Sequence, residues 1–289
     1  MAPRLYVLTP LRDEAPNIPR LVETLRAQTR PVDHWIVLEN GSTDGSKEML
    51  AALEPGGAIR AITVLNLETP QSTYALGSKY SSIVNTGIEH VKAHFTLEAD
   101  DMIALLDADT FLDSGYYETL ERVFAADPRV GMANGESIRP HTPRKVTRWT
   151  GGGYFVWRYA CLAEAGYLVG PTADIVSAAK AHTLGWKLKV TTETFAETRG
   201  QGQRVDFRYY GRASYYRGEN LLHCFGRAAS LIVRGQPRHA AAHVSGYLGD
   251  RLRGAPRIAD AEVRRYFHTA FWRRVREAFT PSDEARQRN

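Results

Sequence analysis

The stretch IALLDADTFLD, residues 103–113, joins an apolar run directly to two aspartates that are separated by one alanine. An apolar run of this length is typical of a buried strand. Because side chains alternate along an extended chain, Asp107 and Asp109 are predicted to point the same way and Ala108 the opposite way. Two adjacent carboxylates repel each other, so the pattern predicts that a cation binds beside them.

Before this stretch, short apolar runs alternate with amphipathic segments. RLYVLTP, HWIVLEN and AITVLNL predict three further strands, and NIPRLVETLRAQ, DGSKEMLAAL and SKYSSIVNTGIEHVKAHF predict helices. Strands that alternate with helices through short connections indicate parallel strands in a layered α/β fold. The final third of the chain predicts mainly helices.

The composition is that of a globular chain, with 43% hydrophobic and 24% charged residues. No apolar run approaches the roughly 18 residues that a membrane-spanning helix needs. The N-terminus lacks the pattern of a signal peptide, and Cys161 and Cys224 fit neither a disulfide framework nor a zinc spacing. We therefore expect a cytoplasmic protein, with peripheral attachment at the inner face of the membrane as an alternative.

The charge is unevenly distributed along the chain. From Arg199 to the C-terminus there is no lysine and an excess of about ten positive charges, whereas residues 1–198 carry an excess of about five negative charges. The basic part is either a solvated face or a surface that meets phosphates or an anionic membrane. Nucleic acid is not an expected partner, because no helix-turn-helix, zinc-finger or RNP-like pattern accompanies the charge.

Polar residues follow three of the predicted strands, at the edge where ligands bind in open α/β sheets. They are Thr9 and Pro10 with Arg12 and Glu14, then Glu39, Asn40, Gly41 and Ser42, and finally Asp107, Ala108 and Asp109. Paired carboxylates at this edge suit a hard divalent cation, Mg²⁺ or Mn²⁺, that is shared with a diphosphate. The alternative is that one aspartate caps the next helix and the other is solvated.

Taken in order, these segments resemble a known family. YVLTPLRDEAPNIPRLVETLRAQT, IVLENGSTDGS, GSKYSSIVNTGI and IALLDADTFLD are similar to segments of the inverting family 2 glycosyltransferases with the GT-A fold, and the resemblance covers residues 4–190. It implies a UDP- or GDP-sugar as donor. It also implies that Asp107 and Asp109 bind the metal, Mn²⁺ or Mg²⁺, and that Lys79 lies near the donor phosphates.

The resemblance implies a domain organisation. Residues 1–198 would form the GT-A catalytic domain, a mostly parallel central sheet flanked by helices, with a nucleotide-sugar-binding half (1–113) and an acceptor-side half (114–198). Residues 199–289 would form a mobile loop and an Arg-rich helical extension. The expected acceptor is a hydroxyl of a glycan or lipid-linked glycan. We expect transfer of one sugar, because the chain lacks the Q-x-x-R-W motif of processive members.

Glu39 stands where the family usually has an aspartate that contacts the nucleotide base. Either carboxylate can accept a hydrogen bond from an N–H of uracil or guanine, so the sequence leaves the base open. The alternative for NGSTDG is a tight turn that enters a helix, with Thr43 or Asp44 as the cap.

Asp174 occupies the position of the aspartate in the family's Glu-Asp pair, which precedes a helix that ends in glycine, here Gly185. Ala173 replaces the glutamate of that pair. The resemblance implies that Asp174 is the general base that takes the proton of the acceptor hydroxyl. The alternative is an N-cap for a helix that starts at Ile175.

Three consecutive glycines lie among aromatic residues in TRWTGGGYFVWR. Glycine allows close backbone approach and aromatic rings offer flat apolar faces, so this stretch predicts a platform for the acceptor sugar. Its members are Trp149, Gly152, Gly153, Tyr154 and Trp157. The alternative is that these aromatic residues belong to the core.

Two features of the basic C-terminal part predict contacts with anions. Its first arginines suit bidentate bonds to the donor diphosphate; they are Arg199, Arg204, Arg212 and Arg217. Its last segment, EVRRYFHTAFWRRVREAF, carries apolar residues at helical spacing with arginines between them. That helix either packs on its own domain or binds an anionic membrane.

Other function classes are less well supported by the sequence. A haloacid-dehalogenase-like phosphotransferase also carries paired aspartates after a strand, but Thr110 lies one place too early for that motif, and the motif normally follows the first strand. A non-catalytic sugar- or nucleotide-binding protein with the same fold is the other alternative, and loss of metal binding would favour it.

Overall fold

The structure is a computed structural model, and it describes residues 2–67, 77–138, 152–198, 207–270 and 272–273. The chain divides into an N-terminal unit, Met1–Gly200, and a C-terminal unit, Gln201–Asn289.

The N-terminal unit is built on a mixed sheet. Within the described ranges its strands are β1 (Leu5–Leu11), β2 (His34–Glu39), β3 (Ile62–Asn66), β4 (Met102–Leu105), β5 (Thr110–Leu112), β6 (Val130–Ile138), β7 (Val156–Arg158) and β8 (Lys187–Thr198). They lie in the order β3-β2-β1-β4-β7-β6-β8-β5. The first four strands of this order are parallel, and β7 is antiparallel to β4 and β6.

Helices cover the sheet of the N-terminal unit. Those that the structure describes are α1 (Ile18–Arg26), α2 (Ser46–Ala51), α3 (Ser78–His94), α4 (Tyr116–Ala126), α5 (Tyr159–Ala165) and α6 (Ala173–Thr183). The short connections from strand to helix make β1 to β4 parallel, as the sequence predicts.

Each face of the sheet has its own apolar core, because successive side chains of a strand point to opposite faces. In β1, Leu5 and Val7 belong to one buried cluster, whereas Tyr6 and Leu8 belong to the other. β1, β2 and β4 are therefore apolar on both faces, which explains why they are uninterrupted apolar runs in the sequence.

Helix packing on the sheet follows from small and apolar residues at defined places. In α3, a Cβ at Gly87 would lie 2.8 Å from Leu38 Cδ1, so the glycine lets the helix approach the sheet closely. In α1, Ile18, Leu21, Val22 and Leu25 are buried at the spacing of one helix face.

The strand register brings three strand ends to one edge. Leu11 of β1 is paired with Glu39 of β2, and Leu8 of β1 is paired with Leu105 of β4. One sheet also continues across the predicted boundary at residue 113, since β4 pairs with β7 and β5 pairs with β8.

The C-terminal unit is helical in its described part. It comprises α7 (Phe207–Arg217), α8 (Leu221–Val233), α9 (Pro237–Leu252) and α10 (Ala261–His268). A Cβ at Gly211 would overlap the carbonyl of His243, and a Cβ at Gly246 would overlap the carbonyl of Arg208. The two glycines thus allow the backbones of α7 and α9 to pack at very short distance.

The apolar stripe predicted near the C-terminus begins in α10. Val263 and Phe267 are buried, so this part of the stripe packs within the protein. The rest of the stripe, at Phe271, Val275 and Phe279, lies outside the described residues. In the part of the chain that the structure describes, no helix has the length and apolar character needed to cross a bilayer.

Candidate functional site

The two aspartates of the opening stretch lie in the turn between β4 and β5. Thr110 N donates to the carbonyl of Asp107 over 3.0 Å and closes this turn. Ala108 is buried in the core, whereas Asp107 and Asp109 are half-buried. The strand ends at Leu105, so the aspartates occupy a turn rather than the extended chain that the sequence predicts.

Gly153 packs directly against Asp107. The amide of Asp107 donates to the carbonyl of Gly153 over 2.7 Å, and a Cβ at residue 153 would overlap the Asp107 carboxylate. Because no side chain fits there, only glycine permits this approach.

The neighbouring glycine contacts the second predicted catalytic group. Gly152 N donates to Asp174 Oδ2 over 3.0 Å. Two consecutive glycines thus connect Asp107 to Asp174, although these aspartates are far apart in the sequence. The negative charge of Asp174 is among the causes that raise the pKa of Asp107.

Asp174 does not act as the N-cap of its helix. Helix α6 begins at Ala173 with Thr172 as N-cap, and not at Ile175 as the alternative required. The carboxylate of Asp174 lies in the first turn and accepts the bond from Gly152. A negative charge in the first turn is favoured by the helix dipole.

Two tyrosines complete this cluster, and sequence reasoning did not select either of them. The Tyr80 hydroxyl donates a hydrogen bond to Asp107 Oδ1. Burial, followed by the negative charges of Asp174 and Asp107, raises the pKa of Tyr167 well above its ordinary value. The signal for Tyr80 was its position directly after Lys79, which lies half-buried in the first turn of α3.

The protonation of Asp107 reflects this surrounding charge. Burial raises its pKa to about 7, and the carboxylates of Asp109, Asp174 and Glu14 add to the rise. The hydrogen bond from Tyr80 acts in the opposite direction. Several carboxylates therefore share one small region, and a divalent cation would relieve their repulsion.

The described residues provide some, but not all, of the ligands that a divalent metal ion needs. Asp107 and Asp109 supply two half-buried carboxylates, which are ligands that Mg²⁺ and Mn²⁺ prefer. Among the residues that the structure describes, no group of three His, Cys, Asp or Glu side chains is arranged to hold a metal ion. Two protein carboxylates suffice for Mg²⁺ when substrate phosphates provide further oxygens.

Glu39 ends β2 and is 1% exposed. Its Oε1 accepts a hydrogen bond from Ser42 N over 2.5 Å, and its Oε2 lies 3.9 Å from Lys47 Nζ. Gly41 has a φ of +71°, which the tight turn after Asn40 requires. Oε1 of Glu39 therefore stabilises the loop that follows β2, whereas Oε2 faces Lys47.

The loops after β1 and β2 are joined by side-chain hydrogen bonds. Asp13 N donates to Ser42 Oγ over 3.0 Å, and Ala15 N donates to Asp44 Oδ2 over 2.9 Å. Asp44 also accepts a bond from Ser46 N, so the predicted turn into a helix exists as well. These bonds give the edge of the sheet a defined shape.

Two of the polar residues predicted after β1 are placed differently from expectation. The strand continues to Leu11, so Thr9 and Pro10 lie within it. Thr9 is fully buried, and its hydroxyl accepts a bond from Trp35 Nε1 over 2.9 Å. Arg12 is exposed and lies 3.4 Å from Asp13 Oδ2.

The predicted aromatic platform is largely part of the core. Trp157 is buried in β7, between β4 and β6, and Tyr154 is buried against the other face of the sheet. Neither ring presents a face to a sugar, because strand pairing and core packing enclose both. Trp149 lies outside the described residues, and Gly152 and Gly153 contact carboxylates instead.

The arginines predicted to bind the donor diphosphate have acidic partners within the C-terminal unit, where the structure describes them. Arg217 is buried and lies 2.7 Å from Glu219 Oε1, so its anionic partner is inside the C-terminal unit. Arg212 Nε lies 3.1 Å from Asp250 Oδ2. Arg199 and Arg204 lie outside the described residues.

Comparison with known proteins assigns the family. The model of glycosyl transferase family 2 matches residues 6–161, which include both the β4–β5 turn and the Gly152–Gly153 pair. The chain belongs to glycosyl transferase family 2. This membership replaces the haloacid-dehalogenase-like alternative. No curated protein matches the family 2 chain closely enough to add to this assignment.

Solved structures show the fold of this family 2 chain. S. aureus TarS is 12% identical with a TM-score of 0.55 over 87% of this chain, but the chain spans 44% of the TarS chain. TarS 1–349 in complex with UDP-GlcNAc is 14% identical with a TM-score of 0.53, over 87% of this chain and 73% of that one.

A third structure is similar over nearly the whole chain. The mannosyltransferase PcManGT from Pyrobaculum calidifontis, in complex with GDP-Man and Mn²⁺, is 16% identical with a TM-score of 0.55, over 94% of this chain and 85% of that one. The mixed sheet with helices on both faces is therefore the GT-A fold, as the sequence predicts.

Proposed function

We propose that this chain is a metal-dependent, inverting glycosyltransferase that moves one sugar from a nucleotide-diphosphate sugar to an acceptor hydroxyl. The observation that carries the proposal is the Gly152–Gly153 pair, which holds Asp174 with one residue and packs against Asp107 with the other. The pair thus connects the proposed base with a proposed metal-binding carboxylate, and inversion would need the anomeric carbon of the donor to lie between the base and the leaving diphosphate.

Asp174 is the proposed general base. It is half-buried, and its Oδ2 is already oriented by Gly152 N, so the second oxygen is left to accept the proton of the acceptor hydroxyl. The hydroxyl oxygen then attacks the anomeric carbon on the face opposite the leaving diphosphate. This direct displacement inverts the configuration at that carbon.

Asp107 and Asp109 are the proposed metal-binding residues. When bound, Mn²⁺ or Mg²⁺ neutralises charge on the leaving diphosphate. Burial is the main cause of the raised pKa of Asp107, and the carboxylates of Asp109, Asp174 and Glu14 add a repulsion that a cation would remove. Tyr80 holds Asp107 Oδ1 and fixes the orientation of the carboxylate.

Glu39 is the proposed contact of the nucleotide base, through Oε2. One related structure contains a uridine nucleotide and another a guanosine nucleotide, and the carboxylate suits either base. The proposed acceptor is a glycan or a lipid-linked glycan. Arg12 and Lys79 remain proposed contacts of the donor, as do Glu14, Asn40, Gly41 and Ser42.

Thermal-shift measurements test the donor and the metal together. We expect UDP or GDP to raise the melting temperature in the presence of Mn²⁺ and much less in its absence. Asp109→Ala should abolish the metal-dependent part of this shift. Glu54→Ala, at an exposed position after α2, is a matched control and should keep it. Absence of any metal-dependent nucleotide shift in the native chain would contradict the proposal.

A further inference from the structure

Helix α8 presents an apolar stripe that no described residue of the C-terminal unit covers. Leu222, Phe225, Ile232 and Val233 are 53, 50, 58 and 88% exposed. They recur at helical spacing, and the exposed Ala229 lies between them, so they share one side of the helix. We refer to these five residues as the α8 stripe.

The opposite side of α8 packs within the C-terminal unit. His223, Cys224, Ala228 and Leu231 are buried there. This packing holds the helix in place and leaves the stripe exposed. A contiguous exposed stripe of large apolar residues marks a surface that meets a partner or a membrane.

The surroundings of the α8 stripe are basic. No Asp or Glu occurs between Glu219 and Asp250. Within this interval Arg234 and Arg238 follow Val233, the last residue of the stripe, and both are exposed. Arg227 lies on the other side of α8. The stripe thus lies in an acid-free, arginine-containing part of the chain, which complements an anionic surface.

We propose that the α8 stripe binds an anionic lipid membrane. Its large apolar side chains would enter the boundary between headgroups and acyl chains, and the arginines would contact lipid phosphates. The sequence suggested the segment at 262–279 for this role, but Val263 and Phe267 are buried. The surface on α8 is a different one, and the proposal does not depend on the identity of donor or acceptor.

A second copy of the chain is the less suitable occupant. In a two-fold dimer the same patch meets itself, so Arg234 and Arg238 would approach their own counterparts. No acidic residue in this interval could pair with them. Like charges brought together at an interface oppose association, whereas anionic lipid removes that repulsion.

Flotation of the full chain with vesicles tests the apolar part of the proposal. We expect the chain to float with phosphatidylcholine vesicles that contain phosphatidylglycerol and not with phosphatidylcholine alone. The double variant Phe225→Ser, Ile232→Ser should lower the partition coefficient by about tenfold or more, since two large apolar side chains are lost from the bilayer. Leu252→Ser, which replaces an 86% exposed leucine at the end of α9, is the matched control and should bind like the native chain.

Charge variants test the electrostatic part. Arg234→Glu combined with Arg238→Glu should also lower binding by about tenfold or more, because each basic residue near an anionic surface is worth a severalfold gain in affinity. Arg265→Glu, on the exposed side of α10, should have little effect. Both double variants should keep the nucleotide-dependent thermal shift, which separates this proposal from the catalytic one.

Three results would overturn the proposal. The first is a native chain that does not float with anionic vesicles, and the second is a Phe225→Ser, Ile232→Ser variant that floats as well as the native chain. Light scattering could instead show a dimer that becomes a monomer in that variant. The α8 stripe would then be an interface between two copies.

Discussion

The carboxylate of Asp107 occupies the space that a side chain at residue 153 would need. The two residues also share a backbone hydrogen bond, from Asp107 N to the carbonyl of Gly153, at 2.7 Å. A turn that carries a proposed metal-binding carboxylate is thus shaped by a glycine from a distant part of the chain. This contact makes the position of Asp107 sensitive to a single methyl group.

Gly153→Ala is therefore expected to displace the Asp107 carboxylate. Metal-dependent nucleotide binding should fall by at least about tenfold, because a misplaced ligand loses a charge-assisted contact. Titration of Mn²⁺ in the presence of UDP or GDP measures this effect. Gly115→Ala is the control, since its φ is −88° and its nearest contact, Asp113 Oδ2, would be an ordinary 3.6 Å away. Equal metal affinity in both variants would contradict the role assigned to Gly153.

Asp174→Asn should separate binding from chemistry. The asparagine oxygen can still accept the bond from Gly152 N, so the loop should stay in place, but the amide cannot take a proton. We expect turnover to fall by about 10²-fold or more, with donor binding unchanged. Glu118→Gln, which removes a charge from the first turn of α4, is the control. An Asp174→Asn enzyme with native turnover would exclude Asp174 as the base.

The C-terminal unit should lose stability in acid because of His243. This side chain is fully buried, neither ring nitrogen has a hydrogen-bond partner among the described residues, and burial lowers its pKa to about 4. The unfolded chain binds the proton more tightly, since an exposed histidine has a pKa of about 6.5. Stability is therefore fully present above pH 6.5 and is lost as the pH falls from about 6.5 to about 4, by up to about 3 kcal/mol.

Urea unfolding at a series of pH values measures this loss. His243→Leu should flatten the acid side of the stability profile, because the buried titrating group is gone. His268→Gln, at an exposed position in α10, should leave the profile unchanged. The same acid loss in His243→Leu as in the native chain would show that another group is responsible.

Gly246→Ala should destabilise the C-terminal unit. Replacing glycine by alanine inside a helix normally stabilises it by roughly 0.5–1 kcal/mol. Here the added methyl group would overlap the carbonyl of Arg208 and push α7 away from α9, at a cost of about 1–3 kcal/mol or more. Gly249→Ala, in the same helix with 3.5 Å to the nearest atom, should be neutral or stabilising. Thermal unfolding that ranks both variants alike would refute the close packing of these helices.

Local patterns in the sequence were sufficient to predict the elements that flank the site. The apolar runs of β1 to β4 and the spacing in α1 predict those elements because each pattern matches the period of its own backbone. The turn after β4 exposes Asp107 and Asp109 and buries Ala108, as their alternation predicts. Order along the chain was enough to recognise the family, since the segments follow one another with short connections.

Contacts between distant segments could not be predicted in this way. Tryptophan is a residue type that suits stacking on a sugar, yet Trp157 belongs to β7, which lies in the sheet between β4 and β6. Arginine is a residue type that suits binding to phosphate, yet Arg217 is buried and forms an ion pair with Glu219. In both cases the partner is decided by packing, because burying a ring or pairing a buried charge outweighs the preference of the isolated residue.

The sequence by itself therefore determined the family, the order of strands and helices, and the residue types at the edge of the sheet. The tertiary structure alone decided that Gly153 meets Asp107, that Gly152 orients Asp174, and that Tyr80 holds Asp107. The physical reason is that these contacts join residues whose separation along the chain carries no local signal. They form only when the pairing of β7 with β4 and the packing of α3 and α6 bring their backbones together.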